Sequence, residues 1–144
     1  MIVLAPTGIA AINAGGVTIH SFFQVPFAPY VPESSFSADG KATYRFRYGK
    51  EKINIIRSID LLVIDEISMV RADLLDSVDA VLRRFRDRNK PFGGVQLLMI
   101  GDLQQLSPVV KDDEWQMLRK YYDTPYFFSS QALKQTEYCT IELK

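Results

Sequence analysis

The sequence predicts an α/β domain built on a mostly parallel sheet. Two observations predict it. Short apolar runs at residues 2–5 (IVLA), 61–64 (LLVI) and 95–101 (VQLLMIG) read as buried strands. Segments with helix start and stop signals lie between them, and buried strands alternating with helices make a parallel sheet. At 144 residues the chain is long enough for one domain with one core.

Each element follows from local chemistry. The run 2–5 stops at Pro6, and Thr7 is placed to cap a helix over residues 8–13 that Gly15 and Gly16 end. Thr18 is placed to cap a second short helix, IHSFF. Residues 24–50 change in character: Pro26, Pro29 and Pro32 break regular structure. The stretch FSADGKATYRFRY reads as a hairpin turning at Asp39-Gly40, with Tyr44, Phe46 and Tyr48 on one face and Arg45 and Arg47 on the other. It has the look of an insertion into the main sheet. Residues 51–58 read as a helix, followed by the strand 61–64. Residues 72–88 give the clearest helix, because Leu74, Leu75, Val78, Val81, Leu82 and Phe85 form one apolar stripe. Its early acids (Asp73, Asp76, Asp79) and late arginines suit the helix dipole. Residues 115–122 read as a helix and 138–143 (YCTIEL) as a last strand.

Bulk properties exclude several classes. Seventeen basic and seventeen acidic side chains balance to zero net charge, so nucleic-acid binding has to come from a local patch. The single Cys139 excludes an intrachain disulfide framework and fits a reducing compartment. No apolar run reaches the ~18 residues of a membrane span and no leader pattern opens the chain, so an intracellular, soluble protein is expected.

Ligands of parallel α/β sheets bind beyond the carboxyl ends of the strands. Three chemically loaded segments lie there. Asp65-Glu66 ends the strand of LLVIDE: the first carboxylate can hold Mg²⁺ through its water shell, and the second can polarise an attacking water. A strand simply ending in solvated acids carries the same letters. In GDLQQLSPV (residues 101–109), Gly101 allows a sharp turn, and Gln104 and Gln105 offer amides to a phosphate oxygen and a water; a capped turn with surface glutamines is the plain alternative. In APTGIAAINAGGVTIHSFF (residues 5–23), Thr7, Thr18 and the backbone N–H groups of two helix starts can hold phosphates. Phe22 and Phe23 read as core. His20, the only histidine, has no nucleophile partner and reads as a structural residue rather than a base. The segment KATYRFRYGK suits stacking on single strands, or equally packs one face and solvates its arginines. The run RRFRDRNK reads as a solvated helix end.

No G-x-x-x-x-G-K-S/T phosphate loop occurs around any of the eight glycines. Taken in order, the motifs APTGIAA…GG.TIHSFF, LLVIDEISMV and GDLQQLSPV nevertheless resemble those of superfamily 1 helicases of the 5′-to-3′ type, most closely the Pif-one-like family, with RecD-like enzymes as cousins. The resemblance runs from about residue 2 to 109. It implies a three-layer RecA-like P-loop NTPase domain lacking its phosphate-loop strand, with residues 1–23 and 51–144 forming part of the first RecA-like domain and 24–50 a wedge or pin hairpin. It implies that Asp65 coordinates Mg²⁺, that Glu66 activates the hydrolytic water, and that Gln105 senses the γ-phosphate of ATP. It places Pro6, Thr7, Thr18 and His20 in a motif that contacts single-stranded DNA. The implied partners are single-stranded DNA and duplex junctions, with no membrane. The implied work is DNA repair, recombination or telomere maintenance, in the cytoplasm or nucleoid of a bacterium or the nucleus or mitochondrion of a eukaryote.

Two further expectations follow from the resemblance. The chain is expected to be a piece of a longer helicase and unable to hydrolyse ATP alone. The last strand is expected either to shift inward onto residues 95–100 or to leave a sheet edge open to self-association. Two rivals stand beside the helicase reading: a non-catalytic remnant that binds single strands or a protein, and an AAA-type ATPase, against which TIHSFF and the glutamine after GD both argue.

Overall fold

A computed structural model describes residues 1–25, 30, 48–102 and 107–142. Four parallel strands form one sheet in the order β2-β1-β3-β4: β1 (Ile2–Ala5), β2 (Val17–Thr18), β3 (Leu61–Ile64) and β4 (Gln96–Met99). The register pairs Leu4 with Val17 and Ile64, and Ile64 with Met99. Because β2 flanks β1 on one side and β3 on the other, the strand order reverses at β1. A switch of this kind opens a crevice beyond the carboxyl ends of the strands.

Alternation along the strands sorts the two faces. Ile2, Leu4, Leu62, Ile64, Leu97 and Met99 face one core. Helices α2 (Ile19–Phe23), α3 (Lys50–Ser58), α4 (Ala72–Phe85) and α6 (Gln131–Lys134) supply its other half, with Phe23, Ile56, Leu75, Leu82 and Leu133 fully buried. Helix α1 (Gly8–Ala14) packs on β1 and β2. At Gly16, which closes that connection, an added Cβ would lie 2.2 Å from the Val3 carbonyl oxygen, so no side chain fits. A smaller cluster of Ala72, Leu118 and Tyr122 joins α5 (Asp112–Leu118) to the start of α4. On the second sheet face, Leu98 and Ile100 of the β4 segment remain 48% and 46% exposed.

Several expectations are corrected. Helix α4 stops at Phe85 rather than residue 88, because Arg86 leaves helical geometry and its guanidinium bonds the carbonyls of Ile56, Arg57 and Gly93. The run RRFRDRNK is therefore tied down by its arginines rather than merely solvated. Helix α5 spans 112–118 instead of 115–122, since Glu114 reaches back to the Lys111 N–H (3.2 Å) and starts the helix early. The described residues 138–142 form no strand: Tyr138 and Ile141 are exposed, and β4 ends the sheet with its outer edge unpaired among the described residues. Of the two outcomes expected there, the open edge is the one observed. Within 24–50, only residues 24, 25, 30 and 48–50 are described, so the hairpin lies outside the described residues.

Candidate functional site at the carboxyl edge of the sheet

The sequence places Asp65 directly after the last residue of β3. Its backbone N–H donates to Leu4 O (2.8 Å), so it stands level with the end of β1. Its Oδ1 accepts the Glu66 N–H at 2.9 Å, while Oδ2 accepts no hydrogen bond from the described residues. Glu66 adopts φ 53, ψ 46, left-handed geometry that a non-glycine residue rarely takes. Strain of this kind costs about 1–3 kcal/mol and gathers at functional sites. Here it turns the chain abruptly out of the sheet, so two adjacent carboxylates leave the strand end in different directions. Both are half-buried.

The turn is locked from the neighbouring strand. Ile100 N donates to Ile64 O (2.9 Å), and Ile67 N donates to Ile100 O (2.8 Å). Gly101 follows, and a Cβ there would approach Ile67 Cγ2 to 2.9 Å and the Ile67 nitrogen to 3.0 Å. The glycine thus serves close approach between β4's end and the turn after Glu66. Inside that turn Ser68 is buried and its Oγ has no hydrogen-bond partner. Asp102 is exposed at the same edge. Gln104 and Gln105 lie outside the described residues.

The third segment arrives at the same edge from β1 and β2. Pro6 and Thr7 follow Ala5, and Thr18 pairs with Ala5 in register. Thr7 Oγ1 caps α1 by accepting the Ala10 N–H at 3.2 Å, and Thr18 Oγ1 caps α2 by accepting the Ser21 N–H at 3.1 Å. His20 is half-buried on α2. Burial lowers its pKa below the usual histidine value, Arg71 lowers it further, and Asp73 opposes both. Phe22 and Phe23 are core, as expected, with the Lys52 ammonium 4.3 Å from the Phe22 ring centre.

The arrangement fits a magnesium ion by the chemistry of its donors. Mg²⁺ is usually held by one or two carboxylates plus phosphate and water rather than by a protein cage. Asp65 offers one unbonded carboxylate oxygen at a half-open strand end, and no cluster of three or more metal-binding side chains occurs among the described residues.

The sequence reading passed over Arg71 and Asp73. Arg71 Nε and Nη2 donate to Asp73 Oδ1 and Oδ2 at 2.8 and 2.6 Å, and Nη1 reaches Glu114 Oε2 at 3.4 Å. Asp73, read as a dipole-matching acid, is buried and also accepts the Tyr30 N–H. The available signal was an arginine two residues before an acid at a helix start.

Comparison with known proteins agrees with this geometry. The PIF1-like helicase family model matches residues 1–129. The chain is 38% identical to the ATP-dependent DNA helicase PIF1 of Saccharomyces cerevisiae over 99% of its own length and 15% of that protein's. It is 40% identical to the human ATP-dependent DNA helicase PIF1 over 96% of its length and 19% of that protein's. A crystal structure of a Bacteroides Pif1 helicase in complex with ADP-AlF3 and ssDNA superposes with TM-score 0.85 at 47% identity, covering 94% of this chain and 30% of that one. The chain thus spans less than a third of these relatives, and its α/β fold is that of their RecA-like domain.

Proposed function

Since the chain belongs to the PIF1-like helicase family, we propose that it forms part of the first RecA-like domain of an ATP-dependent 5′-to-3′ DNA helicase and carries its metal-binding and water-activating carboxylates. The observation that carries this reading is the left-handed Glu66 directly after Asp65 at the end of β3. Residues 1–23 and 51–144 would make up the domain portion, with 24–50 as the duplex-splitting wedge.

The residues divide the work by position. Asp65, with Oδ2 unbonded, would hold Mg²⁺, which when bound neutralises phosphate charge. Glu66, swung away from the strand axis, would accept a proton from the attacking water. Gln105 would sense the γ-phosphate. Pro6, Thr7, Thr18 and His20 would line the path of a single strand, the two capped helix starts offering N–H groups to its phosphates. Support for a DNA partner comes from relatives solved with ssDNA and at forked dsDNA. Such an enzyme would work inside the cell, in DNA repair, recombination or telomere maintenance.

The test is Glu66→Gln in the full-length helicase that carries this sequence. Its DNA-stimulated ATP turnover is expected to fall at least about 100-fold, the lower range for loss of a general base. A rate near that of the unsubstituted enzyme would sink the assignment.

A further inference from the structure

The start of α4 is where the parts assigned to DNA and to nucleotide meet. Beyond the Glu66 turn the chain reaches Arg71, which immediately precedes α4 with extended backbone (φ −71, ψ 151). Its guanidinium grips Asp73 through two hydrogen bonds and reaches Glu114 of α5. The Asp73 carboxylate, 3% exposed, holds the Tyr30 N–H at 3.0 Å and so fixes a point inside the 24–50 segment. His20 on α2 lies within electrostatic reach of both charges. The backbone here is pinned as well, by Ala72 N donating to Pro125 O (2.9 Å) and by a bridge between Arg71 and Tyr126.

A buried ion pair of this kind adds little stability over a well-packed apolar pair, because desolvating two charges offsets their attraction. What it supplies is fixed geometry: a planar fork on one carboxylate that also holds a distant backbone group. We propose that Arg71 and Asp73 are positioning residues that hold α2 and the 24–50 segment in register with the carboxylates at the end of β3, so that DNA contact changes the rate of ATP hydrolysis. The proposal rests on the helicase reading above. Neither residue is assigned to substrate; both act through His20, Tyr30 and the Asp65-Glu66 turn.

The experiment uses the full-length helicase with Arg71→Gln, Asp73→Asn and the double substitution. Asparagine keeps an oxygen for the Tyr30 N–H while removing the charge. ATP turnover is measured without DNA and against rising oligothymidine. Turnover without DNA and the KM for ATP are expected to stay within about twofold of the unsubstituted enzyme, while stimulation by DNA falls about tenfold, within the usual range of coupling between two sites. The double variant is expected to match either single one, since all three break the same pair. Stimulation within about twofold of the unsubstituted enzyme overturns the proposal. So does a loss of unstimulated turnover parallel to the loss of stimulation, which marks a merely structural role. Should Arg71→Gln not fold, Arg71→Lys keeps the charge without the fork, and the same split is expected of it. An unsubstituted enzyme showing no DNA stimulation would remove the helicase reading itself. Normal stimulation in both the enzyme and its variants would remove only the positioning role.

Discussion

Glu66 joins a strained backbone to a reactive side chain. The apolar run and the acid pair were legible in LLVIDE, but the left-handed turn was not, because no glycine or asparagine announces it. It is imposed from outside, by β4's end and the Ile67–Ile100 hydrogen bond. Gly101, read from sequence as a flexible turn, proves to be a matter of space. Gly101→Ala is expected to destabilise the fold by about 1–3 kcal/mol, as overpacking does, and urea unfolding of the 144-residue chain measures it. His20 makes a second residue-scale prediction. Its folded pKa lies below the unfolded value of 6.5, so just under pH 6.5 the unfolded chain binds more protons. Its contribution to stability is full above pH 6.5 and lost as pH falls through the folded value. His20→Gln should therefore flatten the fall in melting temperature between about pH 6.5 and 5. An unchanged slope would contradict the lowered pKa.

The elements were mostly legible: β3 and α2 fall where periodicity and caps put them, and α1 differs by one residue at its end. Helix α4 was read correctly on its apolar stripe and wrongly on its acids. Asp73, Asp76 and Asp79 follow a spacing of three and form a second, polar seam, each bonded to another part of the fold. Asp76 accepts four hydrogen bonds: from Tyr122 Oη and Ser130 Oγ, both at 2.6 Å, and from the Gln131 and Ala132 backbone N–H groups at 3.1 and 3.0 Å. It is the link between α4 and the C-terminal helix α6. Burial, then the neighbouring Asp76 charge, pushes the Tyr122 phenol far above its ordinary pKa, so it stays a donor at every working pH. Asp76→Ala would strand these donors and is expected to cost at least about 3 kcal/mol, whereas Tyr122→Phe removes one bond and should cost about 1 kcal/mol. Parallel denaturant titrations of the two variants check the ratio. Sequence periodicity cannot distinguish such a seam from a solvated face, because the partners lie more than forty residues away.

Across the whole molecule, strand content and parallel sense were readable, but sheet order and the fate of the C-terminal segment were not. YCTIEL has the composition of a strand, yet a strand exists only against a partner, and residues 138–142 have none among the described residues. With no phosphate loop in its sequence, the isolated 144-residue chain is expected to show no ATP turnover above a blank with Mg²⁺ and single-stranded DNA present. Measurable turnover in the purified chain would overturn the division of labour proposed for Asp65 and Glu66.

The half-exposed Leu98 and Ile100 on the second sheet face also bear on how the chain behaves in a tube. A solvatochromic dye such as ANS should light up on the native chain, before any heating. In a dye-monitored melt, the starting fluorescence should be high and the transition shallow. Circular dichroism would then be the fairer probe of every stability difference set out above.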